Sequence, residues 1–255
     1  MFAALQPIDC LPRSAKRNEG KVLFRIFSLL VLLVSTGCGV FRPGIPGSGI
    51  LHSENRHVEA FDQVDLSGFG EVEILVGYSP SVRVTTDDNL LALVDTRVEN
   101  GKLVIKPRQS IHPRTGLKVD VTVPSLAAAH VRGAGDLIIH NVAGERLELS
   151  ISGAGTVHAS GQVHEISTSI SGAGDADLRN LVSESADVRV SGAGDIWVNA
   201  TESIKARVSG AGDVVCFGNP VHIDQRVSGA GDFSIQPAVT TSKVSAKGLP
   251  YTIFD

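Results

Sequence analysis

The feature of this sequence that most constrains its fold is a five-residue motif, Ser-Gly-Ala-Gly-Asp, which recurs at nearly equal intervals. The four complete copies and two near copies are Ser171–Asp175, Ser191–Asp195, Ser209–Asp213 and Ser228–Asp232, with Arg132–Asp136 and Ser152–Thr156. The first glycines of successive copies are 20, 19, 20, 18 and 19 residues apart. Such regular spacing is typical of a repeat protein in which each unit is one structural element.

Apolar residues flank every copy of the motif at three fixed positions, with mostly polar residues between them. The positions two residues before and four and six residues after the first glycine are Val131, Ile151, Ile170, Val190, Val208 and Val227; Leu137, Val157, Ala176, Ile196, Val214 and Phe233; and Ile139, Ala159, Leu178, Val198, Cys216 and Ile235. Alternation with a period of two predicts a short strand, a tight corner and a second short strand. The glycines are expected to supply backbone angles that other residues adopt only at a cost.

A unit of about 19 residues is too small to bury its apolar side alone, so neighbouring units are expected to stack on one another. Two or three short strands with their turns fill one coil of a parallel β-helix, and successive coils then lie roughly 4.8 Å apart. The sequence therefore predicts an all-β fold, a single parallel β-helix or β-solenoid over residues 57–255. The apolar positions are expected to form columns in a narrow core.

Composition limits the classes of partner and cofactor. The net charge is −4, and the repeats contain no cluster of lysines and arginines, so no nucleic-acid partner is expected. The three cysteines, Cys10, Cys38 and Cys216, are far apart and form no Cys-x-x-Cys pair, which argues against a zinc or thioredoxin-like site. No cofactor is predicted, and Cys216 is expected to be a small buried hydrophobe because it occupies an inward column.

The first part of the chain has the pattern of an export signal. Lys21 and Arg25 precede the apolar run Ile26–Val34, and Ser35-Thr36-Gly37-Cys38 follows it. This pattern predicts a lipoprotein-type signal peptide over residues 1–37, with Cys38 carrying the lipid, palmitate included. An uncleaved anchor and an ordinary cleaved signal are the alternatives. The glycine after Cys38 favours the outer membrane.

Both ends of the predicted solenoid carry segments that differ from the repeats. Residues 38–56 are rich in Pro and Gly and are expected to be a flexible tether. The segment His57–Ser125 is interpreted as the opening coils plus an antiparallel excursion that caps the first edge. In this segment Asn100-Gly101 predicts a hairpin turn. At the other end, Leu249–Phe254 is expected to cover the last coil.

Several segments together resemble a known bacterial family. Phe61–Val64, Glu99–Ile105, Val121–Leu126 and the repeated corners are similar to the "putative auto-transporter adhesin, head GIN domain" family. The resemblance covers about His57 to Ser234. It implies an exported parallel β-helix, often carried on a lipoprotein, and it brings no catalytic residues with it.

The aspartates that close the corners are the first candidate site residues. If the coils stack, Asp136, Asp175, Asp195, Asp213 and Asp232 form a column interrupted by Thr156. Carboxylates about 4.8 Å apart repel by roughly 1 kcal/mol per pair, so a compensating interaction is expected. Hydrogen bonds from backbone N–H groups of the same corner are favoured, and a bound Ca²⁺ ion is the alternative.

Arginines form a second column on the outward phase of the strands. Arg189, Arg207 and Arg226 each precede their corner glycine by three residues. Stacked arginines can bind sulfate, uronate or lipopolysaccharide phosphate through forked hydrogen bonds. The alternative is a solvated face paired with the acids two residues earlier, Asp187 and Asp224.

These features favour a non-enzymatic lipoprotein of the cell envelope, held in the membrane by its lipid anchor, whose β-helix binds a glycan or an envelope protein. The alternative is a carbohydrate-active β-helix enzyme, a polysaccharide lyase or hydrolase. Such an enzyme needs a non-repeating cluster of carboxylates or basic groups in a cleft. The uniform coils and short loops of this sequence argue against that alternative.

Overall fold

The structure, a computed structural model, describes residues 44–237, and most of these residues lie in β-strands. The strands are β1 Ile45–Pro46, β2 Leu51–Arg56, β3 Gln63–Gly68, β4 Glu71–Val76, β5 Ser81–Asp87, β6 Val94–Glu99, β7 Lys102–Pro107, β8 Ile111–His112, β9 Lys118–Val123, β10 Ala128–Gly133, β11 Asp136–Ile151, β12 Thr156–Ile170, β13 Asp175–Val190, β14 Ile196–Val208, β15 Val214–Phe217, β16 His222–Val227 and β17 Phe233–Gln236. One 3-10 helix, Leu91–Leu93, lies between β5 and β6.

Successive coils stack in parallel and form two sheets that meet at the glycine corner. Sheet A contains the strands that enter the corner, in the order β7, β3, β10, the second halves of β11 to β14, and β16. Sheet B contains the strands that leave the corner, in the order β9, β4, the first halves of β11 to β14, β15 and β17. The predicted all-β parallel solenoid is therefore confirmed.

The three predicted apolar columns form the core. Every member of each column is buried except the last one, which lies in the final described coil. In that coil Val227 and Ile235 are 43% and 41% exposed, because the described residues place no further coil over them. The segment Leu249–Phe254, predicted to cover this edge, lies outside the described residues.

The corner itself is a hydrogen-bonded ladder. Each corner alanine donates its N–H to the carbonyl of the first glycine one coil earlier, at 2.7 Å from Ala154 to Gly133 and 2.9 Å from Ala193 to Gly172. A Cβ atom on Gly192 would lie only 1.8 Å from that same Gly172 oxygen. The glycines are therefore required mainly because consecutive coils approach so closely.

This close approach corrects the predicted reason for the glycines. Of the six first glycines in the repeat, only Gly133 has a positive φ, 139°. None of the other five has a positive φ, so for them the backbone of the preceding coil excludes the side chain. The earlier corner Ser67–Gly70 stacks beneath Gly133 in the same way.

Differences in coil length are absorbed at the bend opposite the corner. Ile139 pairs with Ala159, 20 residues on, whereas Val142 pairs with Gly161, 19 residues on. Similar register shifts fall in this second bend between β12 and β13 and between β13 and β14. The corner thus keeps a constant length while the second bend varies.

We predict that Gly192→Ala destabilises the solenoid by about 3 kcal/mol, because the new methyl group overlaps the backbone of the preceding coil. Gly144→Ala is the matched control, since a Cβ atom on Gly144 would meet no other atom within 4 Å and the φ of this glycine is not positive. The control should leave stability unchanged or raise it by about 0.5 kcal/mol. Urea unfolding followed by circular dichroism measures both; equal stabilities for the two variants would contradict the close-approach argument.

The first edge of the solenoid is built out of chain order. The coil that contains β7 and β9 lies outside the earlier coil of β3 and β4, and the chain then returns past the β3–β4 coil to β10. Antiparallel strands close this edge, with β6 on β7 and β5 on β9. The predicted hairpin turn is confirmed, since Asn100 and Gly101 have φ of 52° and 76°.

Residues 44–56 differ from the predicted flexible tether. They form β1, which pairs with β8, and β2, which pairs antiparallel with β5. The buried carboxylate of Asp87 holds the loop between β1 and β2 by accepting N–H hydrogen bonds from Gly49 at 2.6 Å and Arg114 at 2.9 Å. Desolvation acts to raise the pKa of Asp87, but these backbone hydrogen bonds and those of Thr115 lower it overall. The ordered domain therefore begins before residue 57.

Candidate functional site

The three predicted arginines lie side by side on the outer surface of sheet A. Arg189 on β13, Arg207 on β14 and Arg226 on β16 are direct ladder partners. Residues of one face alternate along a strand, so the outward phase places every guanidinium toward solvent. The side chains are 49%, 34% and 74% exposed, in that order.

Two aspartates lie in the neighbouring outward row and pair with these arginines. Asp187 accepts a hydrogen bond from Arg189 at 2.8 Å and lies 3.7 Å from the amino group of Lys205. Asp224 is farther from Arg207 and Arg226, at 4.0 and 3.9 Å. The four cations and two carboxylates leave an excess of positive charge at this end of sheet A.

A shallow groove of about 590 Å³ runs across the coils beside the arginines. We call it the arginine groove. Besides the three arginines, its polar lining consists of serines, namely Ser169, Ser171, Ser191, Ser209 and Ser228. Some corner hydroxyls donate a hydrogen bond to a backbone carbonyl of the preceding coil, as Ser191 does to Ile170 at 3.3 Å. A hydroxyl keeps further acceptor capacity in this arrangement, so the groove offers charged donors and neutral polar groups together.

The corner aspartates stack as predicted but bind a different partner. Asp175 accepts the N–H of Asp195 at 2.8 Å, Asp195 that of Asp213 at 2.7 Å, and Asp213 that of Asp232 at 2.8 Å. Each of these carboxylates thus accepts a backbone N–H of the next coil. The expected hydrogen bond within the same corner is seen at Asp232, which accepts the N–H of Phe233. Parallel stacking brings the equivalent N–H of the next coil directly over each carboxylate.

The first member of the column is separated from the others. Asp136 accepts the N–H of Thr156 at 3.1 Å, and Thr156 then has no carboxylate to offer the next coil. The N–H of Asp175 donates instead to the carbonyl of Gly155 at 3.2 Å. Among residues 44–237, no three His, Cys, Asp or Glu side chains are grouped so that they could hold a metal ion.

We predict that Asp195→Ala lowers stability by about 1 kcal/mol through loss of the hydrogen bond from the N–H of Asp213. Asp195→Asn is the matched comparison, because it keeps an acceptor oxygen and removes charge repulsion within the column. The Asn variant should be at least as stable as the parent in urea unfolding. A higher melting temperature in Ca²⁺ than in chelator, lost in the Asn variant, would instead support a metal.

The remaining sequence candidates are the cysteines. Cys216 is buried in the core, and burial raises the pKa of its thiol, which makes it a poor nucleophile. Cys38, the predicted lipid attachment site, lies outside the described residues, as does the predicted signal peptide.

A second basic cluster, which the sequence did not indicate, lies on sheet A at the first edge. This first-edge pocket has a volume of about 490 Å³, and its charged lining residues are Asp65, Arg97, Glu99, Lys102, Lys106 and Arg132. They come from four strands, of which β6 and β7 are consecutive in the chain, whereas Asp65 on β3 and Arg132 on β10 are distant in sequence. The alternation Lys102-Leu103-Val104-Ile105-Lys106 was the available signal, because it places both lysines on one outward face.

The stacked corners, the two-sheet coil and the polar outer face define a parallel β-solenoid domain. A family model described as "Putative auto-transporter adhesin, head GIN domain" matches residues 60–220. The chain belongs to this family, which confirms the resemblance noted in the sequence.

Solved structures of similar fold carry related descriptions. A putative adhesin from Bacteroides fragilis is 22% identical with a TM-score of 0.64, and a putative lipid binding protein from Parabacteroides distasonis is 21% identical with a TM-score of 0.54. Each match covers 76% of this chain and 100% of the other. At this identity the likeness establishes the fold. No curated protein matches the chain in sequence.

Proposed function

We propose that this protein is an exported lipoprotein of the cell envelope whose solenoid binds anionic glycans through the arginine groove without catalysing a reaction. The observation that carries the proposal is the in-register stacking of Arg189, Arg207 and Arg226 along one groove. Guanidinium groups bind sulfate, carboxylate and phosphate oxygens by paired N–H donors. The adhesin-like family membership supports a surface that binds rather than reacts.

The membrane anchor in this proposal is the lipid on Cys38, with the outer membrane as the destination. The ordered domain begins by Gly44, so six residue steps connect it to Cys38. A fully extended chain of that length spans about 20 Å. The solenoid would therefore be held close to the lipid surface, where anionic envelope glycans are within reach.

The chemistry of the groove also supports a binding role over hydrolysis. Glycoside hydrolases use two carboxyl groups about 5–9.5 Å apart beside the substrate. Among the described residues that line the arginine groove there is no carboxylate. The nearby carboxylates of Asp187 and Asp224 lie within 4.0 Å of arginine nitrogens and do not line the groove.

We predict that the triple variant Arg189→Ser, Arg207→Ser, Arg226→Ser loses at least tenfold in affinity for a sulfated polysaccharide such as heparin. The affinity of the wild type should also fall with added salt, because the contacts are exposed ion pairs. Surface plasmon resonance with immobilised heparin measures both effects.

The matched control removes three arginines elsewhere on the molecule, through Arg83→Ser, Arg146→Ser and Arg179→Ser. These residues pair with Asn55, Glu165 and Asp177 and lie outside the arginine groove. The control should bind heparin within about twofold of wild type after allowing for the change in net charge. Equal losses in both variants would reject the groove, and unsaturated or shortened products from uronate polymers would reject the non-enzymatic role.

A labelling experiment tests the anchor separately. Cells grown with radioactive palmitate should label the wild-type protein and not Cys38→Ser, while Cys216→Ser should remain labelled because that thiol is buried. Label retained on Cys38→Ser would contradict lipidation at this residue.

A further inference from the structure

The arginine groove and the first-edge pocket lie on the same surface, the outer face of sheet A. A continuous ladder row leads from Val104 through Asp65, His130, Ser150 and Ser169 to the three arginines. Lys102 and Lys106 flank Val104 on the same outward phase. Seven ladder steps of about 4.8 Å separate the two ends, a distance of roughly 34 Å.

The first-edge pocket carries its own excess of positive charge. Arg97 pairs with Asp95 and Glu99, and Arg132 pairs with the buried carboxylate of Asp65. The ion pairs formed by residues 44–237 include no carboxylate partner for Lys102 or Lys106. Burial, and then the positive charge of Lys102, lowers the pKa of His130, while the carboxylates of Asp65 and Glu148 act to raise it.

Between Arg132 and Arg189, the two outward rows nearest the corner carry only serines among residues 44–237. Ser150 and Ser169 occupy the arginine row, and Ser152 and Ser171 occupy the corner row beside it. The nearest acid in this stretch, Glu148, lies one row farther from the corner. A ligand that follows the two rows nearest the corner therefore meets cations at both ends and hydroxyl groups in the middle.

From this arrangement we infer that the ligand is a linear anionic polysaccharide that lies across the coils and contacts both basic clusters at once. This inference rests on the proposed function and extends it to the length and direction of the ligand. An extended sugar chain matches the row because one coil rise is close to the length of one sugar ring. The described strands of sheet A contain no Phe, Tyr or Trp, whereas single-stranded nucleic acid binds mainly by stacking on aromatic side chains.

Two linked sites make binding depend on ligand length. A heparin tetrasaccharide can occupy the arginine groove alone, whereas a dodecasaccharide is long enough to reach Lys102 and Lys106. Because the second contact is then intramolecular, the dodecasaccharide should bind the wild-type protein more than about tenfold tighter than the tetrasaccharide. Isothermal titration calorimetry on the full chain measures both affinities.

Substitution of the distant cluster should remove only the length dependence. The double variant Lys102→Ser, Lys106→Ser should bind the tetrasaccharide like wild type and should bind the dodecasaccharide no more than about twofold tighter than the tetrasaccharide. Arg83→Ser with Arg179→Ser removes two cations from other surfaces and should preserve the ratio. Lys102→Gln with Lys106→Gln repeats the test if the Ser variant melts at a lower temperature.

The outcomes separate this inference from the proposed function. If the wild type binds both oligosaccharides equally and the lysine variant changes neither affinity, the ligand does not extend to the first-edge pocket. Binding at the arginine groove is then unaffected by this result. If neither oligosaccharide binds the wild type, the proposed function fails and the path with it. Tighter binding of a single-stranded DNA of equal charge would overturn the assignment to a polysaccharide.

Discussion

The structure depends on how closely one coil can approach the next at the glycine corner. Each corner alanine donates to a glycine carbonyl one coil away, and the second glycine column is packed as tightly as the first. A side chain at either glycine would overlap the neighbouring backbone. The corner therefore fixes the register of every coil. Differences in coil length occur instead at the second bend, opposite the corner.

Because the register is fixed, side chains that recur once per repeat in the sequence become neighbours on the surface. Residues 18 or 19 positions apart, such as Arg189, Arg207 and Arg226, become neighbours across one ladder step. The same register brings Asp175, Asp195 and Asp213 into line, but there each carboxylate is occupied by a backbone N–H of the next coil. One column is therefore engaged in holding the coils together, and the other remains open to a ligand.

The first edge shows a different kind of organisation. Lys102 and Lys106 lie beside Arg132 and Asp65 because the coil of β7 and β9 is placed outside the earlier coil of β3 and β4. Antiparallel β5 and β6 then close an edge that parallel stacking would leave open. The reversal of coil order thus places a basic cluster at the first edge of the solenoid.

The sequence by itself determined the repeat, the inward columns and the outward phase of the arginines, because a period of two and a constant corner leave few alternatives. Only the tertiary structure decided that the corner glycines are required by close approach and that Asp195 caps the next coil. It also decided that residues 44–56 contain two strands and that Lys102 lines the same pocket as Arg132. Local patterns specify which way a side chain points along its own strand. They do not specify which strand lies next to it when neighbouring coils are not consecutive in the chain.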